Sequence, residues 1–441
     1  SGGGGGSASG TAHGGGGPGS GGAAAGGGGA GGAASAPTVM FPRTGITADE
    51  LGVLVNDDDP LSVMIADYYV HARKIPAKNV VHLQIPNTTA TTLAGSDFVP
   101  LKAQVDAAFM GTNVQAMAIT WTRPYAVDNL SITSAFALGY KAIGDTCNDP
   151  NSQFATPNPY AMNMDSTAPF TDLAFRPAMT IPATTIDEAE AIIDRGVASD
   201  GTWPTGSAYL MDTSDQTRSA RCILNPMYGW TNECQALLDE WDGAKTGVAA
   251  SIIDADEITG KADVLFYVQG LASVPDLDTN TYVPGAVADH LTSFGGQIPT
   301  SAQMSAFEFL RAGATGSYGT VVEPCAFQQK FPDPAVLVPR YFGGATLIEA
   351  YWKSVVWPAE GIFIGEPLAR PWGPGYRSSF DGDTLTIETT AMVPGKTYVI
   401  EAADDANGPF TAVMSGLTVP AYQKATFTVK HANRAVYRFG E

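Results

Sequence analysis

Basic residues are scarce in this chain of 441 residues: 24 lysines and arginines stand against 44 aspartates and glutamates, a formal net charge of −20. No cluster of Lys or Arg occurs along it, and neutralising a phosphate backbone needs such clusters, so nucleic acid is not an expected partner. The same deficit argues against docking on anionic lipid headgroups. Long apolar runs are lacking too, and none approaches the roughly 20 residues that cross a bilayer, so no transmembrane segment is expected. Histidine is limited to 5 residues and cysteine to 4, which leaves few groups for imidazole or thiolate chemistry. Charged residues amount to 15% while Thr, Ser, Asn and Gly abound, a balance suited to an extracellular or cell-surface protein.

The chain opens with a tail. Residues 1–36 are almost entirely Gly, Ala and Ser, with no side chains to bury and the largest backbone entropy to lose on ordering. Such a segment is either a flexible tether or an arm that becomes ordered against neighbouring subunits. At about 3.1 Å per residue, an extended arm of this length would reach roughly 100 Å. Self-association through residues 1–36, into a homo-oligomer, filament or surface layer, is therefore an expected use. A Ser/Gly-rich start is also common just after a cleaved signal sequence or a lipidated cysteine, so a lipid or surface anchor before Ser1 stays open.

About 400 residues remain, enough for two domains. Over 37–375, short apolar runs alternate with helical patterns. Leu51–Val55, Val80–Leu83, Ala116–Trp121, Ala208–Met211, Ala249–Ile253, Val264–Val268, Gly319–Val322 and Gly361–Ile364 read as strands. Helices are expected near 61–72, 97–110, 186–198, 232–241, 302–313 and 343–356, and the Pro/Asn/Thr-rich stretch 143–180 as a surface insertion. Continuous apolar strands between helices indicate an α/β fold with a mostly parallel sheet covered on both faces, in three layers. From 376 to 441 the pattern changes to period two, as in Asp383–Thr389, Thr397–Glu401, Ala425–Val429 and Ala435–Phe439. That alternation predicts a small all-β, immunoglobulin-like sandwich.

Four cysteines allow three pairings. Cys222 and Cys234 bracket the turn-forming Asn225-Pro226-Met227-Tyr228-Gly229, which lets the chain double back, and that leaves Cys147 with Cys325. Four reduced, buried thiols are the alternative, disfavoured in an extracellular setting. Among acidic motifs, Asp276-x-Asp278-x-Asn280 has the spacing that opens a calcium loop but lacks the later Gly and Glu; a solvated acidic loop is the competing reading. Asp57-Asp58-Asp59 could hold a cation at a strand end or serve as the charge cluster at a helix start.

Asp263–Gly270 resembles the strand that carries His-Gly in caspase-like and gingipain-like cysteine peptidases. Leu291-Thr292-Ser293-Phe294-Gly295-Gly296 sits where those enzymes have the nucleophilic Cys and a following Gly. Ile364-Gly365-Glu366-Pro367-Leu368 is similar to their closing Gly-Asp-Pro. A fuller resemblance, over roughly 50–372, is to an uncharacterised family of secreted bacterial proteins associated with exosortase-type surface sorting. It is carried by Val55-Asn56-Asp57, Arg73–Val80, Ala288–Gly296, Arg311–Ala314, Gly319–Pro324 and Lys330-Phe331-Pro332. These resemblances imply a caspase-like core and a role at the envelope or in the extracellular matrix.

The departures bear on the chemistry. A cysteine peptidase needs a thiolate activated by an imidazole, yet Gln269 stands at the His position, Ser293 near the Cys position, and no Cys lies beside it. His290, three residues before Ser293, would share a helix face with it, so a Ser–His pair is conceivable. Three readings follow: a noncatalytic secreted structural or assembly protein, a gingipain-like hydrolase with a rearranged site of Ser293, His290 and Gln269, and a calcium-dependent binding module. The first is preferred and calls for no cofactor; the third would need calcium.

Overall fold

Each apolar run becomes a strand because its alternate side chains enter two different cores. A computed structural model describes residues 36–142, 147, 157–325 and 327–441; the assembly arm expected at 1–36 lies outside the described residues, apart from Ala36. The large sheet comprises β1 (Leu51–Asn56), β2 (Val80–Leu83), β3 (Ala116–Ile119), β4 (Ala178–Thr180) and β5 (Gly206–Asp212). It continues with β6 (Val248–Asp254), β7 (Val264–Gln269), β8 (Tyr282–His290), β9 (Gly316–Thr320) and β10 (Gly361–Gly365). These 10 strands lie in the order β6-β5-β7-β8-β9-β10-β4-β3-β1-β2. Every neighbouring pair is parallel except β9 with β10. That antiparallel seam reverses direction midway, so the carboxyl ends of β5, β7, β8 and β9 share one edge and those of β1, β3 and β4 point to the other.

Val53, Ala118, Leu210, Phe266 and Phe363 pack on one face, together with side chains of helices Pro60–Arg73, Ile186–Ser199, Pro334–Phe342 and Leu347–Ser354. Their neighbours Leu54, Met117, Met211, Tyr267 and Ile362 pack on the other, under helices Gly95–Ala108 and Phe307–Ala312. The fold is thus mixed α/β with helices on both faces of a mostly parallel sheet. Helix Pro60–Arg73 shows why the local sequence complies: Asp59 caps it by accepting from Leu61 N at 3.0 Å, Pro60 occupies its first turn, and Lys74 ends it in the left-handed conformation. Ser62, Ile65, Ala66 and Tyr69, spaced i, i+3, i+4, i+7, are its buried face. Of the three aspartates before it, Asp59 is therefore a cap and Asp57 pairs with His82 at 2.6 Å.

Several expected elements shift. Ala178–Thr180, in the stretch read as a surface insertion, is a buried strand of the main sheet; three residues are too few to show a period. The helix expected near 343–356 is Leu347–Ser354, and a further, unexpected helix, Pro334–Phe342, precedes it. Gly344 breaks them with φ +95° where its backbone meets Gly375 N, 2.8 Å from the site of an added Cβ. The helix expected over 302–313 covers Phe307–Ala312, and β9 ends at Thr320 rather than Val322.

From Tyr376 onward two smaller sheets share a cluster of Leu385, Ile387, Tyr398, Ile400, Tyr437 and Phe439. Tyr376–Phe380, Leu385–Thr389 and Ala425–Val429 are antiparallel. The other sheet runs Thr38–Met40, Val436–Gly440, Tyr398–Ala403, Thr411–Leu417. Its first strand, from the start of the region read as α/β, adds parallel to Val436–Arg438; the remaining pairs are antiparallel. Residues 36–441 form one compact unit.

Cys222 is bonded to Cys234 and Cys147 to Cys325. Among the described residues no helix is long and apolar enough to cross a membrane. Both facts are compatible with a secreted protein.

Candidate functional site

In an open α/β sheet, ligand sites form outside the carboxyl ends of strands, and here Gln269 and His290 end two adjacent strands as register partners. His290 thus lies at the end of a strand and not on a helix, because Ala286, Val287 and Ala288 before it bury fully in the sheet. Ser293 follows in the loop that crosses toward β9, where Thr320 Oγ1 donates to its carbonyl at 2.9 Å. The shared helical face expected for His290 and Ser293 does not exist, and no hydrogen bond joins them among the described residues. Gln269 is the register partner of His290 on the adjacent strand.

The His290 ring is fully buried and edge-on to Phe309, with centroids 5.5 Å apart. Its Nδ1 lies 2.9 Å from the Leu271 carbonyl oxygen, which places the proton on Nδ1 and the lone pair on Nε2. Among the described residues Nε2 has no hydrogen-bond partner, and a Cβ added at Gly295 would stand 2.9 Å from it. Burial pushes the His290 pKa down to about 4, against the pull of the Leu271 carbonyl. The imidazole is therefore neutral at ordinary pH and closed off by backbone.

Gln269 is committed elsewhere. Its amide nitrogen donates to Asp256 O at 2.6 Å and to the Tyr267 hydroxyl at 3.0 Å, and its oxygen accepts from Gly270 N at 2.8 Å. An amide has no basic lone pair to take a proton from a nucleophile.

Two arginines organise the same edge. Arg221, only 2% exposed, pairs with buried Asp289 and donates to the Gln269 carbonyl at 2.6 Å. Burial raises the Asp289 pKa although Arg221 opposes it. Arg218 pairs with Asp215 at 2.6 Å and donates to Thr292 Oγ1 at 3.2 Å, and Thr292 in turn donates to Gln303. The network is nearly closed on itself, with Arg221 Nε its one unpartnered buried nitrogen among these groups. Such an arrangement fixes loops; it offers no accessible acid–base pair.

The calcium candidates are placed differently. Asp276 adopts the left-handed conformation and its carbonyl accepts from Thr279 Oγ1 and Asn280 Nδ2. Asn280 Oδ1, a required ligand of that reading, accepts from Lys261 N at 3.0 Å. Among the described residues no group of three or more His, Cys, Asp or Glu could hold a metal ion. Cys325 is engaged in its disulfide.

Arg221, Arg218 and Lys353 were not among the residues expected from sequence. Asp289 lay inside a quoted motif, so a buried cation to match it was foreseeable. Lys353 gave a fainter signal: a lysine in the otherwise apolar run Tyr351-Trp352 and Val355-Val356-Trp357.

No family model matches the chain, and no curated protein matches it. A solved structure described as "Structure of Protease" is similar at 11% identity with a TM-score of 0.35, covering 90% of this chain and 98% of that one. That likeness is too slight to bear on fold or activity.

Proposed function

We propose that this is a secreted or surface-attached, noncatalytic structural protein. Its caspase-like α/β part and immunoglobulin-like C-terminal sandwich would carry a Gly-rich arm used for assembly or tethering. One observation supports the noncatalytic reading above others: at the strand ends where the resembled peptidases keep their dyad, an amide committed to Asp256 and Tyr267 is the register partner of a buried, neutral imidazole. A nucleophile there has no base. The test is labelling with fluorophosphonate and acyloxymethyl-ketone probes, together with turnover of a fluorogenic peptide library. Neither labelling nor turnover is expected, and Ser293→Ala should be indistinguishable from the parent. Labelling that disappears in Ser293→Ala would establish the hydrolase instead.

The assembly half rests on strand edges that are unpaired among the described residues. Thr411–Leu417 and Thr38–Met40 border one sheet and Val248–Asp254 borders the large one. Thr411–Leu417 is largely exposed along its length. An extended, side-chain-poor arm from another copy can add to such an edge by backbone hydrogen bonds. Deleting residues 1–36 should leave a folded monomer that no longer assembles; filaments or oligomers of unchanged size in electron micrographs of that truncation would reduce the tail to a spacer.

A further inference from the structure

Helix Leu347–Ser354 is buried along its whole length and carries two charged side chains, Glu349 and Lys353, one turn apart. The Glu349 carboxylate is fully engaged. One oxygen accepts from the Tyr160 hydroxyl at 2.9 Å, and the other from Ile46 N at 2.9 Å and Thr346 Oγ1 at 2.6 Å. Lys353 has no such partner. It is 3% exposed, its ammonium lies 4.7 Å from the centroid of the Tyr160 ring, and it makes no hydrogen bond or ion pair among the described residues. An opposite charge, Glu349, lies one turn away but makes no direct ion pair with it, and a buried ammonium without a direct anionic contact is costly unless something else meets it.

Lys353 lines a cavity of about 280 Å³ between the α/β part and the C-terminal sheets. Its other cations are already matched: Lys396 pairs with Glu441 at 2.9 Å, Arg340 with Asp165 at 3.5 Å and Arg43 with Glu50 at 2.5 Å. Its uncharged walls combine Met164, Met392, Val393, Tyr376 and Tyr422 with the threonines Thr44, Thr167 and Thr390. One ammonium without a direct ion-pair contact can take one negative group. An inorganic dianion would strand its second charge beside Asp165 and Glu441, whereas an organic body suits walls of methionine and tyrosine.

We propose that this cavity binds a small organic monocarboxylate, its carboxylate on Lys353 and its apolar body against Met392 and the tyrosines. The site is independent of the strand-end cluster around His290. Burial, opposed by Glu349 and Asp165 and reinforced by Arg340, lowers the Lys353 pKa to about 8. Binding should accordingly weaken as the pH rises through 8, as the ammonium is lost, by about tenfold per pH unit beyond it.

The experiment is thermal unfolding of the full chain in a series of sodium benzoate, with benzamide as the neutral isostere and sodium sulfate as the inorganic anion, at constant ionic strength and pH 7. A saturable rise in Tm with benzoate is expected, with none from benzamide and a non-saturating response to sulfate. The benzoate effect should vanish in Lys353→Met, a substitution that removes an unpaired buried charge while keeping the packed stem. It should vanish as well in Val393→Trp, which fills the cavity and leaves the lysine in place, so the proposal stays testable should one variant not fold. Equal shifts with benzoate and benzamide, survival of the benzoate effect in either folded variant, or no saturable shift with benzoate would each overturn it. A saturable response to sulfate alone would show a simple oxyanion site instead.

Discussion

Among single residues, Arg221 and Asp289 form a buried ion pair at the strand ends, each the other's counter-charge. Breaking such a pair leaves a bare charge in the core, so Arg221→Met or Asp289→Ala should each cost about 3–5 kcal/mol in urea unfolding. The double replacement should cost clearly less than the sum; full additivity would mean that the two charges are solvated separately. His290 gives a second prediction at this scale. Its folded pKa of about 4 lies below the ordinary 6.5, so between those values the unfolded chain binds the proton and the folded chain does not. Stability contributed by neutral His290 should then be complete above pH 6.5 and fall toward pH 4, by on the order of 3 kcal/mol. Half-buried Glu233 and Asp333, whose carboxyl pKa values desolvation raises, Asp333's to about 6, act in the opposite sense. The measurement is therefore the difference between parent and His290→Leu across pH 4–7, and a difference that does not change with pH would refute the sealed, neutral imidazole. His290 itself was legible in the sequence as a candidate because histidines are few. Its burial and tautomer were not, because Leu271 and Phe309, which decide them, come from other elements.

Elements show which signals a sequence can carry. β1 and β7 announce themselves because Val53 and Leu54, or Phe266 and Tyr267, enter opposite cores, which leaves an uninterrupted apolar run. β8 hid behind Pro284 and Gly285 at its middle and Asp289-His290 at its end, residues that normally argue against a strand. Thr411–Leu417 hid for another reason: as an exposed edge it has little apolar content to alternate. Helix Glu233–Asp239 depends on a staple, since Cys234 in its first turn is bonded to Cys222 across the turn at Asn225–Trp230. That bridge closes a loop of sequence separation 12, worth roughly 3 kcal/mol on the chain-entropy model. Cys222→Ala/Cys234→Ala should lower Tm by several degrees and loosen the loop that carries exposed Leu224, Met227 and Tyr228. Rapid proteolytic nicking between Leu224 and Gly229, absent in the parent, is the expected sign. An unchanged Tm would show that Trp230 and Leu237, both buried in the core, hold the loop without the disulfide.

For the whole molecule, the change of pattern near residue 376 suggests a chain of separable parts, but the contacts across that point are many and specific. Thr38–Met40 crosses from the start of the chain to pair with Val436–Arg438. Tyr422 N donates to Glu240 O at 2.8 Å, Asp242 N returns a bond to Tyr422 O at 3.2 Å, and the Trp241 and Tyr422 rings lie 6.2 Å apart. The Arg377 guanidinium stacks 4.1 Å from the centroid of the Trp203 ring. The C-terminal sheets thus clamp both the beginning of the chain and the 240s loop, and losing them would expose Trp241 and Phe342, which pack edge to face at 5.0 Å. Elements that bury apolar surface in one another unfold together when that surface is a large part of what stabilises either. Native-state hydrogen exchange should therefore show amides of Val436–Gly440 and of Val264–Gln269 opening with the same free energy and the same denaturant dependence. A chain ending at residue 375 should aggregate or unfold below the parent Tm. Should the C-terminal amides exchange through a separate, less stable opening while β7 stays protected, the clamp would be a mere contact between independent domains, and the cavity lined by Lys353 would open and close with it.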